Sequence, residues 1–129
     1  MAVQRFGRRL GAALVVTALG ISGAGAHHGW SWAEGEQIEL RGTIREVYIG
    51  QPHPSLRVET DGDGMWTVEL SNPRQTARSG FAEGSAKAGD QVIAYGNRAR
   101  DRSERRMKAV RIRVGDRTYD IYPDRIREG

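Results

Sequence analysis

The stretch from Leu56 to Leu70 constrains the fold most. Leu56, Val58 and Thr60 alternate along one run, Trp66, Val68 and Leu70 along the next, and Asp61-Gly62-Asp63-Gly64 lies between them. Alternation with a period of two puts one face of each run into a core, and Asp-Gly pairs supply the positive-φ residues a tight reversal needs. This predicts a β-hairpin. The acidic turn is too short for an EF-hand calcium loop, which needs further spaced acids and a closing glutamate.

Upstream, Ile38, Leu40 and Ile44 share one phase, and after Arg45 the apolar positions move to Val47 and Ile49. A phase slip near Gly42 predicts a long strand over 37–49 that bends at a bulge. Pro52 and Pro54 bracket His53 in a loop, because proline cannot donate to a ladder. Asn72, Pro73 and Gln75 form a helix start, with Asn72 as N-cap and Pro73 in the first turn; Gly80 ends that helix after about two turns. Strands follow from Gln91 to about Arg98 and from Met107 to Val114, then a weaker segment from Thr118 to Tyr122. Ile38, Leu40, Val58, Trp66, Val68, Val92, Val110 and Ile112 are the expected core. The order of three strands, a short helix and two strands predicts an all-β chain with one short helix. A five-stranded Greek-key barrel of the OB type fits it, with an open antiparallel sheet or small sandwich as alternatives.

The segment before this domain reads as an export signal. Arg5, Arg8 and Arg9 precede an apolar run from Leu10 to Ile21, and Ala24-Gly25-Ala26 is a signal-peptidase pattern. The run falls short of the about 20 apolar residues that span a bilayer, so no membrane span is expected after cleavage. A periplasmic or secreted chain starting at His27 is expected, while Arg8-Arg9 leaves Sec and twin-arginine export open. The divisions are then a cleaved signal over 1–26, an N-terminal lead over 27–36, the barrel over 37–122 and a polar tail over 123–129.

Cleavage also changes the charge. The signal holds three of the 20 Lys and Arg and none of the 16 Asp and Glu, so the remaining 103 residues carry 17 against 16, a net charge of +1. That near-neutrality argues against nucleic acid as a partner. The chain has no cysteine, so neither a disulfide framework nor a cysteine-linked lipid anchor is available.

Chemistry then rests on three histidines, His27, His28 and His53. After cleavage His27 carries a free α-amine beside its imidazole. An amine and imidazoles suit Cu(II), which heads the divalent affinity series and favours nitrogen ligands. Two arrangements satisfy this. In a local chelate the His27 amine, the His28 amide and the His28 imidazole hold the metal. In a brace the His27 amine and imidazole meet His53, which requires residues 29–36 to run back along the first strand, pinned by Trp30 and Trp32. The same histidines also fit a frayed terminus and a solvated loop.

Arg98, Arg100, Arg102, Arg105 and Arg106 crowd the loop before the last strand, with Asp101 and Glu104 among them. They offer a site for an anionic ligand or partner protein, or simply a solvated loop. Nucleophile elbows, phosphate loops and dinucleotide fingerprints are absent, so the chain reads as a binding protein with copper as its one candidate cofactor. An interaction module is the alternative, and a redox-active copper enzyme ranks third.

The tokens AHHGW, QPHPSL, MWTVEL, NPRQTARSGF and AGDQV, taken in this order, resemble a family of small exported bacterial proteins, the domain of unknown function numbered 6152, over about residues 26–114. Members typically carry Asn-Pro-His in the first loop, where this chain has Gln51-Pro52-His53. The resemblance implies export and a small β fold, and supplies no activity.

Overall fold

The computed structural model describes residues 29–127. Residues 1–28, which hold the expected export signal, His27 and His28, and the last two residues lie outside that range. Six strands are described: β1 (Ala33–Tyr48), β2 (Ser55–Thr60), β3 (Gly64–Glu69), β4 (Gln91–Ala99), β5 (Arg106–Val114) and β6 (Arg117–Asp120). One helix, α1 (Pro73–Arg78), separates β3 from β4, and a single 3-10 turn, Pro123–Arg125, follows β6.

The hairpin forms as its sequence predicts. β2 and β3 pair from Ser55 opposite Glu69 to Thr60 opposite Gly64. Gly62 and Gly64 both take positive φ, at 88° and 71°, where an L side chain would be strained. The Thr60 hydroxyl donates to the Gly64 carbonyl at 2.7 Å, and the Trp66 indole N–H donates to Asp63 at 3.1 Å.

β1 pairs antiparallel with β2 through its second half and with β4 through its first. The register with β2 slips between Ile44 and Glu46, so Arg45 is the extra residue that moves the apolar phase to Val47. At Gly42 a Cβ would lie 2.3 Å from the Glu59 carbonyl oxygen, so the bend needs a residue without a side chain. β5 pairs antiparallel with β4 and β6, and parallel with β3 over Thr67–Arg106, Val68–Met107 and Glu69–Lys108. Following the pairings β1, β2, β3, β5, β4 and back to β1 closes a ring of hydrogen bonds. β4 takes one edge of β5, so β3 and β6 share the other.

Three features differ from the sequence expectation. β1 starts at Ala33 rather than Gln37: its polar first residues do not alternate, yet Ala33 pairs with Ala99 across an irregularity that ends at Gln37. Six strands form instead of five, because Arg117–Asp120 pairs with Arg111–Val114 although it is only four residues long. Val110 is fully buried but stands outside the main cluster. Gly96 pairs with Ala109 and Tyr95 with Arg111, which leaves Val110 as a bulge residue. Its carbonyl accepts from the Ile121 and Tyr122 amides at 2.9 and 3.0 Å.

Leu40, Val58, Trp66, Val68, Val92 and Ile112 join the main core, with Ile44, Leu56, Leu70, Phe81 and Ile121, and Ile38 packs against it half-buried. α1 begins as expected, with the Gln75 amide donating to the Asn72 side chain at 2.9 Å, and ends at Ser79 after six residues. The Gln75 amide side chain donates to the Ile121 carbonyl at 3.0 Å, and Phe81 meets Tyr119 edge-on at 5.3 Å. These contacts tie the helix segment to the end of β6.

Candidate functional site

The parallel seam of β3 and β5 gathers an unusual group of charges. Val68 and Met107 point into the core, so their neighbours Glu69, Arg106 and Lys108 point outward by strand alternation. Glu69 and Lys108 are nevertheless only 6% and 1% exposed. What covers them is the N-terminal lead. The Lys108 ammonium donates to the Gly29 carbonyl at 3.1 Å and lies 4.8 Å from the Trp30 ring centre. Trp30 meets Tyr122 edge-on at 4.8 Å and carries the Arg125 guanidinium at 4.1 Å. Trp32 carries Arg106 at 4.1 Å. The lead is fastened to the loop after β4 as well, through Arg100 N–H to the Trp32 carbonyl at 2.9 Å and Arg100 Nε–H to the Ala33 carbonyl at 3.0 Å.

His53 reaches the same group from the β1–β2 loop. Its neighbour Pro54 accepts from the Leu70 amide at 2.9 Å, which holds the loop against the end of β3. His53 Nε2 stands 3.8 Å from Glu69 Oε1. The other carboxylate oxygen, Oε2, accepts from Arg106 Nε at 3.2 Å and from Arg106 Nη2. One carboxylate thus sits between an arginine and a histidine, with a lysine opposite it in the register.

Burial pushes the Lys108 ammonium below its usual range; Glu69 opposes that shift, while Arg106 and Arg125 add to it. Burial pushes the Tyr122 phenol up, countered by a hydrogen bond with Ser71 and reinforced by Glu69. The two groups predict a pH signature. An unfolded lysine keeps its proton up to about 10.5, whereas native Lys108 releases it earlier. Between those points the unfolded state binds more protons, so stability rises with pH. Tyr122 acts oppositely once pH passes its ordinary value of 10.0, because the native phenol keeps a proton the unfolded one has lost. Urea unfolding of the wild type should therefore show a stability gain toward pH 10. Lys108→Met should remove the gain while leaving the fall above it. A gain unchanged in Lys108→Met would assign it elsewhere.

The five arginines expected to bind an anion do not converge. Arg98 lies over Trp66 at 5.1 Å, Arg100 holds the lead, Arg105 pairs with Asp63 at 3.4 Å, and Arg106 pairs with Glu69; Arg102 is exposed, and its carbonyl accepts from Arg98 at 3.4 Å. His27 and His28 lie outside the described residues. Among the described residues, no group of three His, Cys, Asp or Glu side chains could hold a metal. No helix among them is long and apolar enough to cross a membrane. Sequence reasoning missed Glu69, Lys108 and Tyr122. Glu69 and Lys108 occupy outward positions of alternating strands and read as solvent-facing until the lead is placed over them.

A family of unknown function, DUF6152, matches residues 14–125, which include all six strands. The chain belongs to that family. No curated protein matches this DUF6152 chain. Among solved structures, the ZRD-deleted mutant of TiaS in complex with agmatine is similar, with a TM-score of 0.52 and 19% identity over 72% of this chain and 28% of that one. A tRNA fluorescent labeling enzyme gives a TM-score of 0.48 and 18% identity over 61% of this chain and 18% of that one. The DUF6152 chain thus spans little more than a quarter of the TiaS chain, and at such identity the likeness to TiaS is one of fold alone.

Proposed function

We propose that this DUF6152 protein is an exported Cu(II)-binding protein built on an OB-like Greek-key barrel, with the metal held by the mature N-terminus and His53. The barrel reading draws on the pairing ring β1-β2-β3-β5-β4, and export draws on the cleavage pattern after Ala26.

One observation carries the metal reading: Lys108 holds the Gly29 carbonyl at 3.1 Å on the seam where Glu69, its register partner, meets His53. The brace requires the lead to return to the His53 loop with Trp30 and Trp32 as anchors, and both tryptophans stack on seam cations. His27 lies two residues before Gly29, a reach of about 7 Å for extended chain. The His27 amine and imidazole with the His53 imidazole form a neutral nitrogen set of the kind Cu(II) prefers. Glu69 supplies negative charge to offset Arg106 and Lys108 nearby.

Titrating Cu(II) into protein that begins at His27 should give tight binding of one equivalent. His53→Ala should weaken it at least tenfold and His28→Ala much less. The reverse order would assign the metal to the local chelate instead. Affinity should also fall as pH is lowered, because protons compete with the metal for the amine and imidazole nitrogens.

A further inference from the structure

The row of outward-facing side chains that holds Lys108 continues across the sheet. Asn97 on β4 is the register partner of Lys108, and Gln37 on β1 is the partner of Asn97. Asn97 is only 6% exposed although it too faces away from the core. Trp30 of the lead covers one side of this row, and the tail after the 3-10 turn covers the other. The Gln37 carboxamide clips that tail in place: it donates to the Arg125 carbonyl at 2.5 Å and accepts from the Arg127 amide at 3.2 Å. Between lead and tail lies a partly open cavity of about 230 Å³, whose lining includes Trp30, Gln37, Asn97, Asp124, Arg125 and Arg127.

The charges around this cavity do not balance. Arg125 and Lys108 lie on one indole, 4.1 and 4.8 Å from its centre, so two like charges share a ring. Glu69 is the acid opposite Lys108 in the register, and Arg106 already pairs with it. Neither the Arg125 nor the Arg127 guanidinium forms an ion pair with a described residue. Within the lining, two guanidiniums stand against the single carboxylate of Asp124, which leaves one positive charge. That count repels a cation and suits a monoanion. A guanidinium holds a carboxylate through two parallel N–H···O bonds, which favours an organic acid. Size points the same way. Liquid water takes about 30 Å³ per molecule, so the cavity has room for about seven, far more than one inorganic anion fills. The Asn97 carboxamide at its floor offers donors and acceptors to hydroxyl groups rather than a dry wall.

We propose that this cavity binds a small hydroxylated carboxylic acid, with its carboxylate on Arg125 and Arg127 and its hydroxyls against the Asn97 floor. The Gln37 clip fixes both arginines at the rim, so the site is present only while the tail is docked. It uses no histidine and does not depend on the metal reading.

Gluconate is a probe of this class, and sorbitol carries the same carbon chain without the carboxylate. Titrated into the metal-free protein at low salt, gluconate should shift the Trp30 indole and Asn97 side-chain amide resonances saturably, and sorbitol should not. Replacing both arginines, Arg125→Gln with Arg127→Gln, should weaken gluconate roughly tenfold or more, because its charge-assisted hydrogen bonds are lost. Asp124→Asn should act in the opposite direction and tighten binding, since it removes the one acid of the lining. Equal affinity in the wild type and the double variant, or equal shifts with sorbitol, would overturn the proposal. Inorganic phosphate bound as tightly as gluconate would also overturn it. Should the double variant not fold, Asp124→Asn decides: tighter binding is expected, and unchanged or weaker binding contradicts the site.

Discussion

Gly96→Ala should cost this protein about 3 kcal/mol or more and prevent much of it from folding. Gly96 sits on β4 where Val110 bulges out of β5, and the two strands approach too closely for a side chain. A Cβ at this position would lie 2.1 Å from the Lys108 carbonyl oxygen and 2.7 Å from the Ala109 Cα. Both obstacles are backbone, so no rotamer change relieves them. The strand must move, and the parallel seam that closes the ring lies on the other edge of the same β5. A one-domain protein has only about 5–15 kcal/mol to lose. Gly35→Ala is the control, since nothing lies within 4 Å of its added Cβ. Urea midpoints should fall by about 1 M or more for Gly96→Ala and hardly at all for Gly35→Ala. Equal midpoints would mean that the close approach of β4 and β5 is wrong.

Trp30→Ala should act on metal binding far more than on the fold. The indole meets Tyr122 at 4.8 Å, Arg125 at 4.1 Å and Lys108 at 4.8 Å, yet it is only half-buried and belongs to none of the core cluster. An aromatic pair is worth about 0.5–1.5 kcal/mol and a partly desolvated cation–π contact about 0.5–2 kcal/mol. Their loss should release the lead from the seam while the ring of strands persists. His27 then searches a larger volume for the site, and its effective concentration near His53 drops. At 1.4 kcal/mol per tenfold, the Cu(II) affinity should fall roughly ten- to a hundredfold. Amide exchange should accelerate at Ala33 and Arg100, whose N–H groups donate to the Trp30 and Trp32 carbonyls. An unchanged Cu(II) affinity in Trp30→Ala would detach the lead from the metal site.

The parts of the fold legible in sequence are those written in local pattern. The hairpin is announced by Asp61-Gly62-Asp63-Gly64 between two alternating runs, and the β1 bulge by the phase change after Arg45. The α1 start is announced by Asn72 and Pro73, whose capping chemistry is contained within four residues. β6 was only a weaker segment because four residues with two charges carry little period. The Val110 bulge was hidden because Ala109, Val110 and Ile112 are all apolar and either phase looks consistent. The site follows the same division. His53 was visible from its residue type and its flanking prolines. Glu69 and Lys108 were not, since their burial depends on a lead segment that returns across the seam from about 40 and 80 positions away in sequence. The partners of the arginine loop were hidden for a related reason: residue counting registers five cations but not Trp66, Ala33, Asp63 and Glu69, among which four of them are divided.

The central claim is that a free amine on His27 completes a metal site whose other end is His53. It is tested most directly by titrating Cu(II) into two forms of the protein, one beginning at His27 and one with a single alanine added before it. The added residue keeps every side chain and moves only the amine. The account predicts one tight equivalent in the first form and an affinity at least a hundredfold lower in the second. Equal affinities in the two forms would contradict it, and would return His27 and His28 to an ordinary chain terminus.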